Sequence, residues 1–231
     1  MSYRTAALSF AAFTIAATPA LAEIRDFEVP DFDEIDVSAG IKVYYETGVS
    51  RYVTVENKKG DFSDIEVEVD DGVLELSRKK KMNWGGGKRE AYTVTIGVQS
   101  LSEIEASSGS YVEGTGLSGN DASIDVSSGA KVIITNISAE EVELDASSGA
   151  AIEASGSCTE VSADASSGSE IDASGLECTA LIADVSSGAS IRAHASDRVN
   201  AEASSGGSVR VSGGATNVTV DKSSGGSVSV S

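Results

Sequence analysis

The chain has 231 residues, and its 17 basic side chains face 36 acidic ones, a formal net charge of −19. That balance repels polyanions and argues against nucleic acid as a partner. Apolar residues make up 40 % and recur in strict order, which separates the chain from disordered acidic sequence.

Residues 1–22 read as a secretory signal. Arg4 is their only charge, an apolar run covers residues 6–17, and Pro19 precedes the small-residue site Ala20-Leu21-Ala22. Cleavage after Ala22 is expected, leaving 23–231 as a single exported domain with 16 bases against 36 acids, since Arg4 is removed. The run is shorter than the ~20 residues a spanning helix needs. No second apolar stretch of that length follows, nor a series of long alternating strands with aromatic girdles. The mature chain is therefore expected to carry no membrane span and to be periplasmic, extracellular or on the cell surface.

Residues 23–100 are strand-like without a repeat. Candidate strands cover 32–37, 41–46, 52–56, 65–69, 73–76 and 92–98. Asp71-Gly72 between two alternating runs signals a hairpin. Ser38-Ala39-Gly40 sits where a degenerate corner of the later pattern would fall. The region reads as the atypical opening coils and cap of a solenoid, with a separate small β domain as the alternative. Its most unusual segment carries Arg78, Lys79, Lys80, Lys81, Trp84, Lys88 and Arg89 around a Gly85-Gly86-Gly87 run. The plain reading is a solvated hairpin loop. The sharper one is a contact loop for an anionic envelope glycan or for the acidic face of another copy, with Trp84 as anchor.

Residues 101–231 repeat. Ser-Ser-Gly recurs with its glycine at 109, 129, 149, 168, 188, 206 and 225, in steps of 18 to 20 residues. Three residues after each glycine stands Val112, Val132, Ile152, Ile171, Ile191, Val209 or Val228. Three before each first serine stands Ile104, Ile124, Leu144, Ala163, Ala183, Ala201 or Val220. Apolar and polar residues alternate on both sides, the mark of strands with one buried face. A ~20-residue unit cannot bury that face alone, so the units must stack. The fold class expected is all-β, a single-stranded parallel β-helix of ~20-residue coils, wound right-handed. Each coil turns at Ser-Ser-Gly and again at looser points such as Ser155-Gly156-Ser157 and Ser174-Gly175-Leu176. The second serine of each triplet is expected inward or at the corner, its hydroxyl stacked on its neighbours.

Cys158 and Cys178 each lie eight residues before a first serine, in the same column of adjacent coils. Stacked Cα atoms ~5 Å apart suit a disulfide, and export supplies the oxidising compartment.

The opening Phe32-Asp33-Glu34-Ile35-Asp36-Val37-Ser38-Ala39-Gly40-Ile41-Lys42-Val43 resembles the start of the head GIN domain of auto-transporter-type adhesins. So do Val53-Thr54-Val55-Glu56, Val73-Leu74-Glu75-Leu76 and the Ser-Gly repeats after them. The resemblance covers nearly all of residues 23–231 and implies an exported β-helical domain. Lys42 stands where a Gly-Ile-Asn triplet would have its third residue. No barrel-forming translocator follows.

For chemistry, an acid stands two residues before each triplet: Glu105, Asp125, Asp145, Asp164, Asp184, Glu202 and Asp221. Stacking makes them an outward ladder, read first as a solvated acidic face and only secondarily as a calcium site. No resident cofactor is expected. A nucleophilic serine needs a base, and His194, the single histidine, is expected at a turn between strands. Carboxylate pairs suit a glycosidase, but uniform coils lack the long loops that wall a cleft. The expectation is a non-catalytic binding or structural module, adhesin-like or otherwise directed at an envelope or extracellular protein or glycan. A periplasmic protein-binding scaffold is the alternative, and a carbohydrate-active enzyme the more distant one. The open last coil, with Val228 and Val230, invites self-association.

Overall fold

The computed structural model describes residues 22–79 and 90–231. The first seven strands are β1 (Glu23–Asp26), β2 (Glu34–Val37), β3 (Lys42–Thr47), β4 (Tyr52–Asn57), β5 (Ile65–Asp70), β6 (Val73–Arg78) and β7 (Tyr92–Val98). After β8 (Glu103–Ala106) come five long strands: β9 (Tyr111–Val126), β10 (Lys131–Ala146), β11 (Ala151–Ala165), β12 (Glu170–Val185) and β13 (Ser190–Ala203). β14 (Ser208–Ser212), β15 (Asn217–Lys222) and β16 (Ser227–Val230) follow. No helix occurs among the described residues.

From β8 onward every strand pairs in parallel with its equivalent one coil away. The register stacks like on like. Val43, Val112, Val132, Ile152, Ile171, Ile191, Val209 and Val228 form one inward column. Ile35, Ile104, Ile124, Leu144, Ala163, Ala183, Ala201 and Val220 form another. All but the last member of each are buried, and each Val, Ile or Leu contributes about 1.5–3 kcal/mol by leaving water. The chain is thus a parallel β-solenoid.

The corners have one geometry. At the first, Ser108 has φ 54° and Gly109 φ 71°, and the Ser110 N–H donates to the Ser107 carbonyl at 3.1 Å. Two successive positive φ values closed by that bond are the signature of a type I′ turn. Glycine is needed for its backbone: a Cβ on Gly109 would meet nothing within 4 Å, yet φ is left-handed. The Gly109 N–H is not left open, because it donates to the Ser128 carbonyl of the next coil at 3.1 Å, and the same bond recurs at Gly129, Gly149, Gly168 and Gly188. The second serine lies at the corner, one of the two placements expected for it, and not inward. Its positive φ turns the side chain to solvent, and the second serines are exposed. The buried hydroxyls belong to the residue after the glycine: Ser110 Oγ donates to the Val37 carbonyl at 3.1 Å, and Ser169 Oγ to the Ala146 carbonyl at 2.8 Å.

The looser turns differ too. Ser155-Gly156-Ser157 lies within β11 and Ser174-Gly175-Leu176 within β12, so the strand bends without ending. The ladder shifts register there, between Glu153 and Ser155 and between Ala173 and Glu177. A bulge of this kind bends a strand while the pairing resumes beyond it.

The first seven strands join the same stack out of sequence order. β2 lies between β6 and β8, and β3 between β7 and β9, all in parallel. Ala39 (φ 61°) and Gly40 (φ 72°) make the corner between β2 and β3. Beyond this, β4 runs antiparallel on β7 and β1 antiparallel on β4. β5 and β6 form the hairpin around Asp71 and Gly72, both with positive φ. Antiparallel strands therefore close this end of the stack. At Gly114 the two styles meet. Tyr45 of β3 fills the column that later holds Ile134 and Ala154, and a Cβ on Gly114 would lie 2.2 Å from its ring.

Cys158 and Cys178 are paired in register and joined by a disulfide, with Cα atoms 4.6 Å apart.

Candidate functional site

Each strand before a corner points one residue of every two outward, and the common register makes these into columns. The longest chemically uniform one is Glu75, Asp36, Glu105, Asp125, Asp145, Asp164, Asp184, Glu202 and Asp221. The sequence repeat supplies the last seven. Asp36 and Glu75 were missed, although Asp36 stands two residues before Ser38 just as the others stand before their triplets. Like charges one coil apart repel. Asp145 is pushed up to about 6, first by burial and then by Asp164, Glu143 and Asp125. Asp36, Glu105 and Asp164 are also raised, with burial the largest cause in each. Asp125, Asp145, Asp164 and Asp184 line a shallow cleft of about 240 Å³ with Ser147, Ser166 and Ser186. The carboxylates follow one another in a line. Among the described residues no group of three or more His, Cys, Asp or Glu side chains converges as a metal cage would require.

The basic segment falls mostly outside the described residues, which is where Lys80, Lys81, Trp84, Lys88 and Arg89 lie. In the sequence it stands between β6 and β7. Arg78 is placed, and it turns inward. Its guanidinium pairs with Asp64 at 3.3 Å, with side chains 9 % and 14 % exposed. It also lies 4.8 Å over the Tyr92 ring, and its Nε donates to the Ala39 carbonyl at 3.0 Å. Asp64 in turn accepts from the Tyr92 hydroxyl. This residue ties the outermost coil to the corner beneath it, leaving Lys79 as the exposed described member of the run.

His194 lies within β13, not at a turn, opposite Glu177 and Ser212. Its Nδ1 is buried without a hydrogen-bond partner among the described residues. Two arginines of the later coils are paired locally: Arg192 with Glu170 at 2.6 Å and Asp172 at 2.9 Å, and Arg198 with Glu160 at 2.5 Å. At the open end Val218 and Val220 are 44 % and 36 % exposed.

The strands after each corner present a different face, which the sequence reading passed over. Tyr44 of β3, Tyr52 of β4 and Tyr111 of β9 stand on it. The alternation Lys42-Val43-Tyr44-Tyr45-Glu46 was the available signal, since it puts Tyr44 outward with the two charges.

A parallel solenoid with uniform coils and long flat lateral faces is a scaffold for presenting surfaces. The chain belongs to the family described as "putative auto-transporter adhesin, head GIN domain", which matches residues 31–215. Nothing among curated proteins matches the sequence. Solved structures give the fold independently. A "putative adhesin" of Bacteroides fragilis superposes with a TM-score of 0.80 at 19% identity, over 91% of this chain and 97% of that one. A "putative adhesin" of Parabacteroides merdae gives 0.70 at 17%, over 91% and 96%. A "putative lipid binding protein" of Parabacteroides distasonis gives 0.66 at 18%, over 91% and 96%. Among the described residues no helix is long and apolar enough to cross a membrane.

Proposed function

We propose that the chain is an exported, non-catalytic binding module, adhesin-like, which meets an envelope or extracellular protein or glycan through the lateral faces of its solenoid. The observation that carries this reading is the register. It holds equivalent outward side chains one above another along the stack, a rigid and repetitive surface of the kind that engages extended partners. Membership of the adhesin-type family supports the same reading by analogy.

The alternative, a periplasmic scaffold for other proteins, draws on the ladder from Glu75 to Asp221, whose charge suits a basic protein surface. Location separates the two. Intact cells of the native host are treated with protease and the mature chain is followed by antibody. Loss from intact cells, or presence in the medium, supports the adhesin-like module. Protection until the outer envelope is opened removes that reading in favour of the scaffold.

A further inference from the structure

The two lateral faces of the solenoid differ in chemistry, and the difference points to a ligand. The face before the corners is the acid ladder. The face after them gathers its exposed aromatics at one end. Of the five tyrosines among the described residues, Tyr45 and Tyr92 are buried, while Tyr44 and Tyr52 are each 39 % exposed and Tyr111 is half-buried. These last three project from β3, β4 and β9, with β7 between β4 and β3. Tyr44 and Tyr111 meet edge to face, with ring centroids 6.2 Å apart. Tyr52 lies against Gly97, where a Cβ would come within 2.2 Å of its ring, so the glycine seats that ring on the sheet.

Two of the rings have a carboxylate at their rim. The Tyr52 hydroxyl donates to Glu46 at 3.1 Å and the Tyr111 hydroxyl to Glu113 at 2.7 Å. Beside Tyr52 opens a cleft of about 460 Å³, with Phe27 and Val29 as apolar walls and Asp26, Glu28 and Arg51 as its polar rim. That volume lies in the range of small-ligand sites. Rings of this kind give broad, rigid contact at low entropic cost, and carboxylates give strong acceptor sites for hydroxyl donors. The carboxylates of Glu46, Glu113, Asp26 and Glu28 are interspersed with the cations of Lys42 and Lys131 beside Tyr111 and of Arg25 and Arg51 beside the cleft, so the patch offers no excess of either sign to hold a polyion. A chain of sugar rings without charge satisfies both demands: its C–H faces lie on the tyrosines and its hydroxyls donate to the glutamates.

We propose that the face carrying Tyr44, Tyr52 and Tyr111, with Glu46 and Glu113, binds a neutral polysaccharide. The proposal rests on the binding-module reading and gives it a ligand class and a face.

The test is affinity electrophoresis of the chain 23–231 through gels containing xylan, mannan, galactan or a β-glucan, with polygalacturonate as the anionic control. At least one neutral polysaccharide should retard the wild-type chain, and polygalacturonate should not. Tyr44→Ala with Tyr52→Ala should weaken that retardation at least tenfold, while Glu140→Gln, exposed on β10 and outside both the ladder and the tyrosine patch, leaves it unchanged. Should the alanine pair fail to fold, Glu46→Gln with Glu113→Gln keeps the rings and is expected to weaken binding severalfold. Retardation by none of the neutral gels, retardation indifferent to these substitutions, or tyrosine-dependent adsorption to zwitterionic lipid vesicles without retardation would each overturn the proposal. Protease shaving reads the module itself. A surface-exposed chain that no neutral polysaccharide retards loses this ligand and keeps the module, whereas a retarded chain that is not exported keeps the ligand and loses the module.

Discussion

The outermost coils and the regular coils of this solenoid solve the same packing problem by different means. From β8 to β13 the solution is repetition: a type I′ corner, one inward Val or Ile after it, an Ile, Leu or Ala before it, and backbone bonds from each corner to the next. Most residues there share their task with the neighbour one coil away, the Cys158–Cys178 link being a single addition. At the other end the chain enters the stack out of order, and single residues hold it. Arg78 spans three elements, Tyr45 needs Gly114 for space, and Tyr92 anchors the segment around Asp61 and Asp64. Repetition spreads stability over many small terms, whereas the irregular end concentrates it in a few.

The first ways to break that comparison are the two non-repeating clamps, one in each region. Replacing both Cys158 and Cys178 by serine opens the covalent link between adjacent coils. The link closes a loop of 20 residues, so the loss expected from chain entropy is about 3 kcal/mol, read as a lower urea midpoint that reducing agent reproduces in the wild type. Arg78→Ala removes the ion pair to Asp64, the hydrogen bond to the Ala39 carbonyl and the ring contact to Tyr92. About 2–3 kcal/mol is expected, confined to the outermost coils. Hydrogen exchange should speed up in β6 and β7 and stay unchanged in β11 and β12. Uniform acceleration would mean that the stack unfolds as one unit and that the contrast between regions is one of sequence only.

How far this was legible before the structure follows the same division. The columns, the register and the acid ladder could be read because each is stated seven times in the sequence, and the disulfide because that register sets Cys158 beside Cys178. The strands of residues 34–98 could be read one by one, but their order in the stack could not. Nothing local in Ile35 or Val43 says that β6 and β7 will cover them. The inward turn of Arg78 was hidden for a related reason: it opens a run of basic residues whose composition points to solvent, and its partners Asp64, Ala39 and Tyr92 are distant in sequence. For the second serine the residue type left inward and corner placements both open, and the positive φ that the turn imposes decides between them.

The ladder offers a subtler way to sharpen the comparison, because it acts on the regular coils. Folding raises Asp145 to about 6 from an ordinary carboxylate value and raises Asp36, Glu105 and Asp164 as well. The native state therefore holds its protons more tightly than the unfolded chain. The stability this confers is fully present below the ordinary carboxylate range and is lost as pH rises through about 6. The solenoid is expected to gain stability from pH 7 to pH 4.5, opposite to a protein held by ion pairs. Asp145→Asn should raise stability at pH 7 by about 1 kcal/mol, allowing for solvent screening, and flatten the profile. Thermal melts across that range check both. A melting temperature that falls on acidification would show that the ion pairs at Arg192 and Arg198 outweigh the ladder.

The smallest expected effect on stability carries the largest on assembly. Lys222 pairs in register with Ala203, so it stands in the inward column that runs through Ala106, Val126, Ala146, Ala165 and Val185. Of the members of this column it alone is charged, and it lies on the last coil, beside the exposed Val218 and Val220. A charge pointing along the core side of an edge strand makes a further strand costly to add, because its ammonium would be buried without a partner. Lys222→Val should change the stability of the single chain by less than about 0.5 kcal/mol. It should also turn the chain 23–231 into a concentration-dependent dimer in sedimentation equilibrium. A wild-type chain that already dimerises through β15, or a valine variant that stays monomeric at millimolar concentration, would show that Lys222 does not decide where the stack ends.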